Sequence, residues 1–235
     1  MFTTFKFQDQ VIKLQTKEGV FQPTTTTRYL LNQIESFKGK SVLDLGCGLG
    51  PIAITAALSG AKKVVAVDIM EEACRATEQN LVHNKVEEKV EVYRGDLFDP
   101  LGGMEFDIIV DDVSGMAEEV SRISSWYPEP IPTGGYDGTE PTVKMLKQAP
   151  GYLAEQGYLL FPVISLSDSA KIIETAEQVY GSHLELLVRK SIPFNEELMK
   201  NLDMLEKLKK KGLIDFEKVR SRYMWNLSIY KAEAH

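Results

Sequence analysis

Four short apolar runs, each closed by an acid, constrain this chain more than any other feature. Ser41–Leu45 carries Asp44 at its end, and Lys63–Val67 is followed by Asp68. Val90–Tyr93 leads to Gly95-Asp96, and Phe106–Val110 leads to Asp111-Asp112. Short runs rich in Val and Ile, bounded by glycine or acid, read as buried strands. Helical stretches alternate with them. Pro51–Leu58 carries Pro in its first turn, where a missing N–H costs little. Glu71–Asn84 opens on acids and sets Ala73, Ala76, Asn80 and Leu81 near one face. Pro141–Gln148 and Ser167–Tyr180 read as further helices. Tyr158–Val163, Leu184–Val188 and Tyr223–Tyr230 complete a set of seven strands. This alternation predicts an α/β fold with a seven-stranded, mostly parallel sheet and helices on both faces. Ligands of such sheets sit beyond the carboxyl ends of the strands. The four acids therefore share one edge.

The rest of the composition narrows the setting. At 235 residues and 43% hydrophobic, the chain fits one domain over 1–235, with a helical insertion at about 195–222 before the last strand. A net charge of −7 argues against binding nucleic acid by bulk charge. Two cysteines make a disulfide framework unexpected and fit a reducing, cytoplasmic setting. The three histidines lie far apart, without metal spacing. The N-terminal MFTTFKF lacks the pattern of a signal peptide, and no run reaches the length of a membrane helix. The closing AEAH reads as a frayed tail.

The glycine loop is Gly46-Cys-Gly48-Leu-Gly50. A dinucleotide fingerprint needs its third glycine three residues after the second, and this loop does not meet that spacing. Asp44, just before the loop, would repel a pyrophosphate. It suits a cationic ligand: the sulfonium and amino group of S-adenosyl-L-methionine. The glycines allow close approach of backbone to ligand, with Cys47 as a small filler between them. Asp68 is placed for the ribose hydroxyls, and Ile69 and Met70 for the adenine face. Asp96, with the backbone of Leu97, is placed for the adenine edge.

These three motifs in order, Asp44 to Gly50, then Val-Ala-Val-Asp68, then Gly95-Asp96-Leu97, resemble the class I S-adenosylmethionine-dependent methyltransferases. The resemblance covers about Val20 to Val163. It implies a Rossmann-like fold and a methyl transfer that yields S-adenosyl-L-homocysteine. Val20-Phe-Gln-Pro-Thr-Thr-Thr-Thr27 also resembles the segment before the glycine loop of HemK-type glutamine methyltransferases and their adenine-N6 relatives. In that family the threonine matched by Thr27 lies beside the methionine part of the cofactor. Thr24–Thr27 also reads as a helix N-cap run. Ile131 to Glu140, with Gly134, Gly135 and Gly138, resembles the family's Gly-Gly-x-x-Gly segment.

The family's Asn-Pro-Pro-Tyr signature is missing. Asp112 takes the asparagine position, Val113 and Ser114 the prolines, and Gly115 the tyrosine. The aromatic platform is gone, so transfer to a glutamine amide or an adenine amine is not carried over. Asp112 becomes the candidate catalytic residue, also in reach of the cofactor, because a carboxylate near an acceptor can orient it or take its proton. Asp111 beside it would favour a cationic acceptor. Ser114, Trp126 and Tyr127, with Pro128–Pro132, are the candidate acceptor pocket. The expected acceptor is a polar N or O atom of a small molecule or of a peptide or protein side chain. A HemK-like protein or nucleic-acid N-methyltransferase with a diverged motif, and a non-catalytic cofactor-binding protein, stay open. The basic run KLKKKG, Lys207 to Gly212, reads first as a solvated helix end and only second as a nucleic-acid contact.

Overall fold

The computed structural model describes residues 1–127 and 129–234; Pro128 and His235, both within segments discussed above, lie outside the described residues. The chain opens on a hairpin of β1 (Phe2–Phe7) and β2 (Gln10–Gln15), paired antiparallel. Phe5, Phe7, Ile12 and Leu14 alternate inward and are buried. This hairpin is absent from the sequence expectation above. Helix α1 (Thr25–Leu31) follows, capped by Thr24 in a reciprocal box with Thr27.

The main sheet uses β3 (Ser41–Leu45), β4 (Lys63–Asp68), β5 (Val90–Arg94), β6 (Phe106–Asp111), β7 (Leu153–Ile164), β8 (Leu184–Pro193), β9 (Glu217–Val219) and β10 (Arg222–Glu233). Seven of these follow the order β5-β4-β3-β6-β7-β10-β8, and short β9 adds to β10 as an eighth. The pairs from β5 across to β7 are parallel; those made by β10 are antiparallel. The order reverses between β3 and β6, which places the switch point at the ends of those two strands.

The helices between are α2 (Pro51–Leu58), α3 (Glu71–His83), α4 (Glu118–Arg122), α5 (Glu140–Gln148), α6 (Ser169–Tyr180), α7 (Glu196–Lys200) and α8 (Leu202–Lys210). Two apolar layers flank the sheet. One joins Val42, Ile108 and Val110 with residues of α1, α2, α3 and α8. The other joins Leu43, Leu45 and Ile109 with residues of α5 and α6. Adjacent strand residues thus enter opposite layers, as the pleat requires. Helix α2 is apolar all round and buried from Pro51 to Ala57, as a central helix must be.

Candidate active site

A cavity of about 390 Å³ opens beyond the carboxyl ends of β3, β4 and β6. The glycine loop forms its floor. The Gly46 and Cys47 N–H groups both donate to the Val67 carbonyl, at 2.9 and 3.1 Å. The Gly48 N–H donates to Asp68 Oδ2 at 3.0 Å, and the Met70 N–H to Asp68 Oδ1 at 2.9 Å. Asp68 thus fastens the loop to the end of β4 while still facing the cavity. Burial raises its carboxyl above the usual range, and the backbone donors partly offset this. Gly46, at φ 75°, has no room for a side chain: a Cβ would sit 3.0 Å from the Asp112 carbonyl oxygen. Glycine here brings the β3 loop against the end of β6.

Asp112 stands on the cavity wall beside Gly46. Its N–H donates to the Leu45 carbonyl at 2.9 Å, so β3 carries it one residue beyond β6. The Thr27 hydroxyl donates to Asp112 Oδ2 at 2.7 Å and accepts from the Thr24 N–H at 3.2 Å. The capping residue and the residue beside the cavity are therefore the same threonine. Asp112 is only half-buried by surface, because it faces the cavity, yet protein atoms surround it on the other sides. Burial pushes its carboxyl up to about 7, and the Thr27 hydroxyl holds it down.

Thr27, Gly46, Cys47, Gly48, Asp68, Ile69, Met70, Asp96, Leu97, Asp112, Ser114 and Tyr127 all line this one cavity. Four other sequence candidates lie outside its walls. Asp44 is 1% exposed, and its Oδ2 accepts from the Ala53 N–H at 3.0 Å. Gly50 is the N-cap of α2 but has no side chain, so Asp44 caps that helix from the strand. Burial and then Asp112 raise the Asp44 carboxyl well above the usual range, while the Ala53 N–H lowers it. Gly50 itself is needed for its left-handed φ of 81° and its approach to Thr77. Asp111 is fully buried, and neither oxygen has a partner in good hydrogen-bond geometry. Burial, then Asp112, pushes it up to about 8, so it stays largely neutral at pH 7 and does not supply charge to an acceptor. Trp126 packs tilted on Trp225, ring centres 6.3 Å apart, and is a wall of the core.

Sequence reasoning missed Glu140 and Lys144, both on α5 and both lining the cavity. Lys144 Nζ meets Asp96 Oδ2 at 2.6 Å across the mouth. Their spacing of four residues, one helical turn, was the available signal. Phe21, Gln22 and Pro23 line the site as well, and Phe21 packs on Tyr127 with ring centres 5.1 Å apart. Among the described residues, no group of His, Cys, Asp and Glu side chains could hold a metal ion.

The family model described as ribosomal protein L11 methyltransferase (PrmA) matches residues 23–135, which spans the glycine loop, Asp68, Asp96 and Asp112. A protein of Methanocaldococcus jannaschii named "putative protein N5-glutamine methyltransferase" is 32% identical over 189 residues, 80% of this chain and 93% of that protein. The chain belongs to the class I S-adenosylmethionine-dependent methyltransferases. The ribosomal protein uL3 glutamine methyltransferase of Bradyrhizobium diazoefficiens is 35% identical to this methyltransferase over 125 residues, 51% of this chain and 39% of that protein. The L11 methyltransferase of Desulforamulus reducens is 35% identical over 116 residues, 48% of this chain. This methyltransferase spans only 36% of that relative's length. Solved structures share its fold. The L11 methylase of Lactobacillus delbrueckii subsp. bulgaricus superposes with a TM-score of 0.56 at 19% identity, over 92% of this chain and 82% of that one. The 16S rRNA N2 G1207 methyltransferase of T. thermophilus, solved with AdoMet and guanosine, gives 0.65 at 18% identity, over 100% of this chain and 50% of that one. S-adenosylmethionine is the methyl donor. Among the described residues, no helix is long and apolar enough to cross a membrane.

Proposed function

We propose that this methyltransferase acts on a side-chain nitrogen of a protein, held at Asp112. The observation that carries this reading is the position of Asp112: on the cavity wall, gripped by Thr27, beside the start of the glycine loop. The relatives' names, protein glutamine and ribosomal protein methyltransferases, support a protein acceptor. The cofactor is assigned to Gly46–Gly48, its ribose to Asp68, and its adenine to Ile69, Met70, Asp96 and Leu97. The acceptor is assigned to Asp112, Ser114 and Tyr127. The chain then works as one methyltransferase unit with 195–222 as an insertion. Its two free cysteines support a reducing, cytoplasmic setting.

The chemistry is an in-line displacement. The acceptor nitrogen's lone pair forms a bond to the methyl carbon while the carbon–sulfur bond breaks. The sulfonium becomes the neutral thioether of S-adenosylhomocysteine, and the nitrogen loses a proton. Asp112 is placed to accept the N–H, orient the lone pair and take that proton. Four carboxylates, Asp68, Asp96, Asp112 and Glu140, line the cavity against one ammonium, Lys144. That balance favours an acceptor that arrives positively charged, an amine or guanidine, which must first give a proton to the Asp112 carboxylate to free its lone pair. A second reading, a glutamine amide, is favoured by the similarity over 80% of the chain to the Methanocaldococcus protein.

Asp112→Asn tests the assignment. It keeps the shape and an oxygen acceptor but removes the base. The expected outcome is a fall in kcat of roughly a hundredfold or more, with cofactor affinity little changed. Unchanged turnover would remove Asp112 from the reaction.

A further inference from the structure

Asn80 lies in the last turn of α3 and is fully buried, and it is not among the residues that line the cavity. Its amide nitrogen donates to the Leu49 carbonyl at 3.0 Å and to the Gln15 carbonyl at 3.3 Å. Its amide oxygen accepts from the Gln15 N–H at 2.6 Å. One side chain therefore joins the last residue of β2 to the glycine loop. One turn earlier, Thr77 donates to the Gly48 carbonyl at 2.9 Å. Helix α3 thus holds two consecutive carbonyls of the loop whose N–H side is held by Asp68 and Val67. One turn later, Asn84 pairs with both backbone groups of Lys13, at 3.1 and 2.8 Å, and makes no contact with the loop. The two asparagines serve β2 as a neighbouring strand would, and only Asn80 reaches onward.

The segment after Gln15 matters for the same reason. Residues 21–24 form one wall of the cavity, and the Phe21 carbonyl oxygen lies 3.2 Å from where a Gly48 Cβ would stand. Asn80 thus bonds the glycine loop at Leu49 and the chain that leads to this strap at Gln15. A buried amide that loses such partners leaves carbonyl and N–H groups unpaired in a place water does not reach.

We propose that Asn80 is a positioning residue of the cofactor site, which sets the glycine loop through the Leu49 carbonyl. This rests on the assignment of the cofactor to Gly46–Gly48. Asn80→Asp is the sharpest variant. It keeps the acceptor for Gln15 but places a carboxylate oxygen against the Leu49 carbonyl. Asn84→Ala removes the bonds to Lys13 and one side-chain bond to the Asn80 carbonyl, and leaves the bonds of the Asn80 side chain to Leu49 and Gln15 in place. Titration calorimetry with S-adenosylmethionine, on the full chain, compares the two with the unchanged protein. The expected result is a Kd raised at least tenfold by Asn80→Asp and within twofold for Asn84→Ala. In turnover, Asn80→Asp raises the KM for S-adenosylmethionine while kcat at saturation holds. If Asn80→Asp does not fold, Asn80→Ser, which shortens the reach to Leu49, carries the same comparison. Wild-type affinity in a folded Asn80 variant, or equal weakening by Asn84→Ala, overturns the proposal. Failure of the unchanged protein to bind overturns the loop assignment and the proposal together. Intact binding that survives Gly48→Val overturns the loop assignment and the proposal with it, whereas loss of binding in Gly48→Val beside wild-type affinity in a folded Asn80 variant overturns the proposal alone.

Discussion

At the scale of single residues, the two adjacent acids after β6 do different work. Asp112 faces the cavity and Asp111 the apolar layer behind the sheet, because neighbours in a strand point to opposite faces. The reactive form of Asp112 is the carboxylate, and its group titrates near 7. Turnover is therefore expected to rise with pH through about 7 and level off above it. Thr27→Val, which removes the hydroxyl that holds this group down, moves the midpoint upward in a pH–rate profile. Asp111 makes a claim on stability. Its folded value, about 8, is raised above that of an unfolded chain, so the folded state binds the proton more tightly. Its contribution is fully present below about pH 4 and is lost as pH rises through 8. Asp111→Asn is expected to stabilise the protein at pH 9 by an amount on the order of a few kcal/mol, and to do little at pH 5. Chemical denaturation at both values measures this; an equal effect at both would contradict it. The adjacency of Asp111 and Asp112 was visible in the sequence and suggested that both meet the acceptor, but Asp111 lies outside the cavity walls and Asp112 on them. Asp44 was legible as a strand-end acid, but its remote capping of α2 depends on how the loop folds back.

At the scale of elements, the glycine loop is a backbone device held from three sides, by β4, α3 and the strap at Phe21. Gly46 sits where β3 and β6 come closest. Gly46→Ala is expected to cost roughly 1–2 kcal/mol of stability for its left-handed backbone alone. It also pushes on the Asp112 carbonyl, so activity falls more than stability explains. Thermal unfolding and kcat measured together separate these; loss of stability with unchanged kcat would contradict the close contact. The strands and helices of the βα repeat were legible because period and punctuation agreed. The hairpin Phe2–Gln15 was not placed, although Phe5, Phe7, Ile12 and Leu14 alternate as strand residues do. It lies outside the repeat, and its partner on the α3 side is a pair of asparagines, which no hydrophobic pattern reveals. Trp126 and Tyr127 sit in a loop without periodicity, so nothing in the order of residues says that one faces Trp225 and the other the cavity.

At the scale of the whole molecule, the side of the cavity proposed for the donor draws on residues that the sequence sets in order, and the side proposed for the acceptor does not. Cofactor recognition uses residues at fixed places along a strand–loop–strand order, and the sequence preserves that order. The wall proposed for the acceptor is assembled from α1, the end of β6, Ser114, Tyr127, Ile131 to Thr133 and α5, far apart in the chain. Glu140 and Lys144 came to the cavity only through the packing of α5 across the sheet edge. The central claim is that this assembled wall delivers a protein nitrogen to the methyl group at Asp112. It is tested most directly with methyl-labelled S-adenosylmethionine, a pool of proteins, and the unchanged and Asp112→Asn chains side by side. Peptide mass spectrometry then locates the label. The expected result is label on side-chain nitrogens with the unchanged chain and little or none with Asp112→Asn. Label confined to small molecules or RNA, or equal protein labelling by both chains, would contradict it.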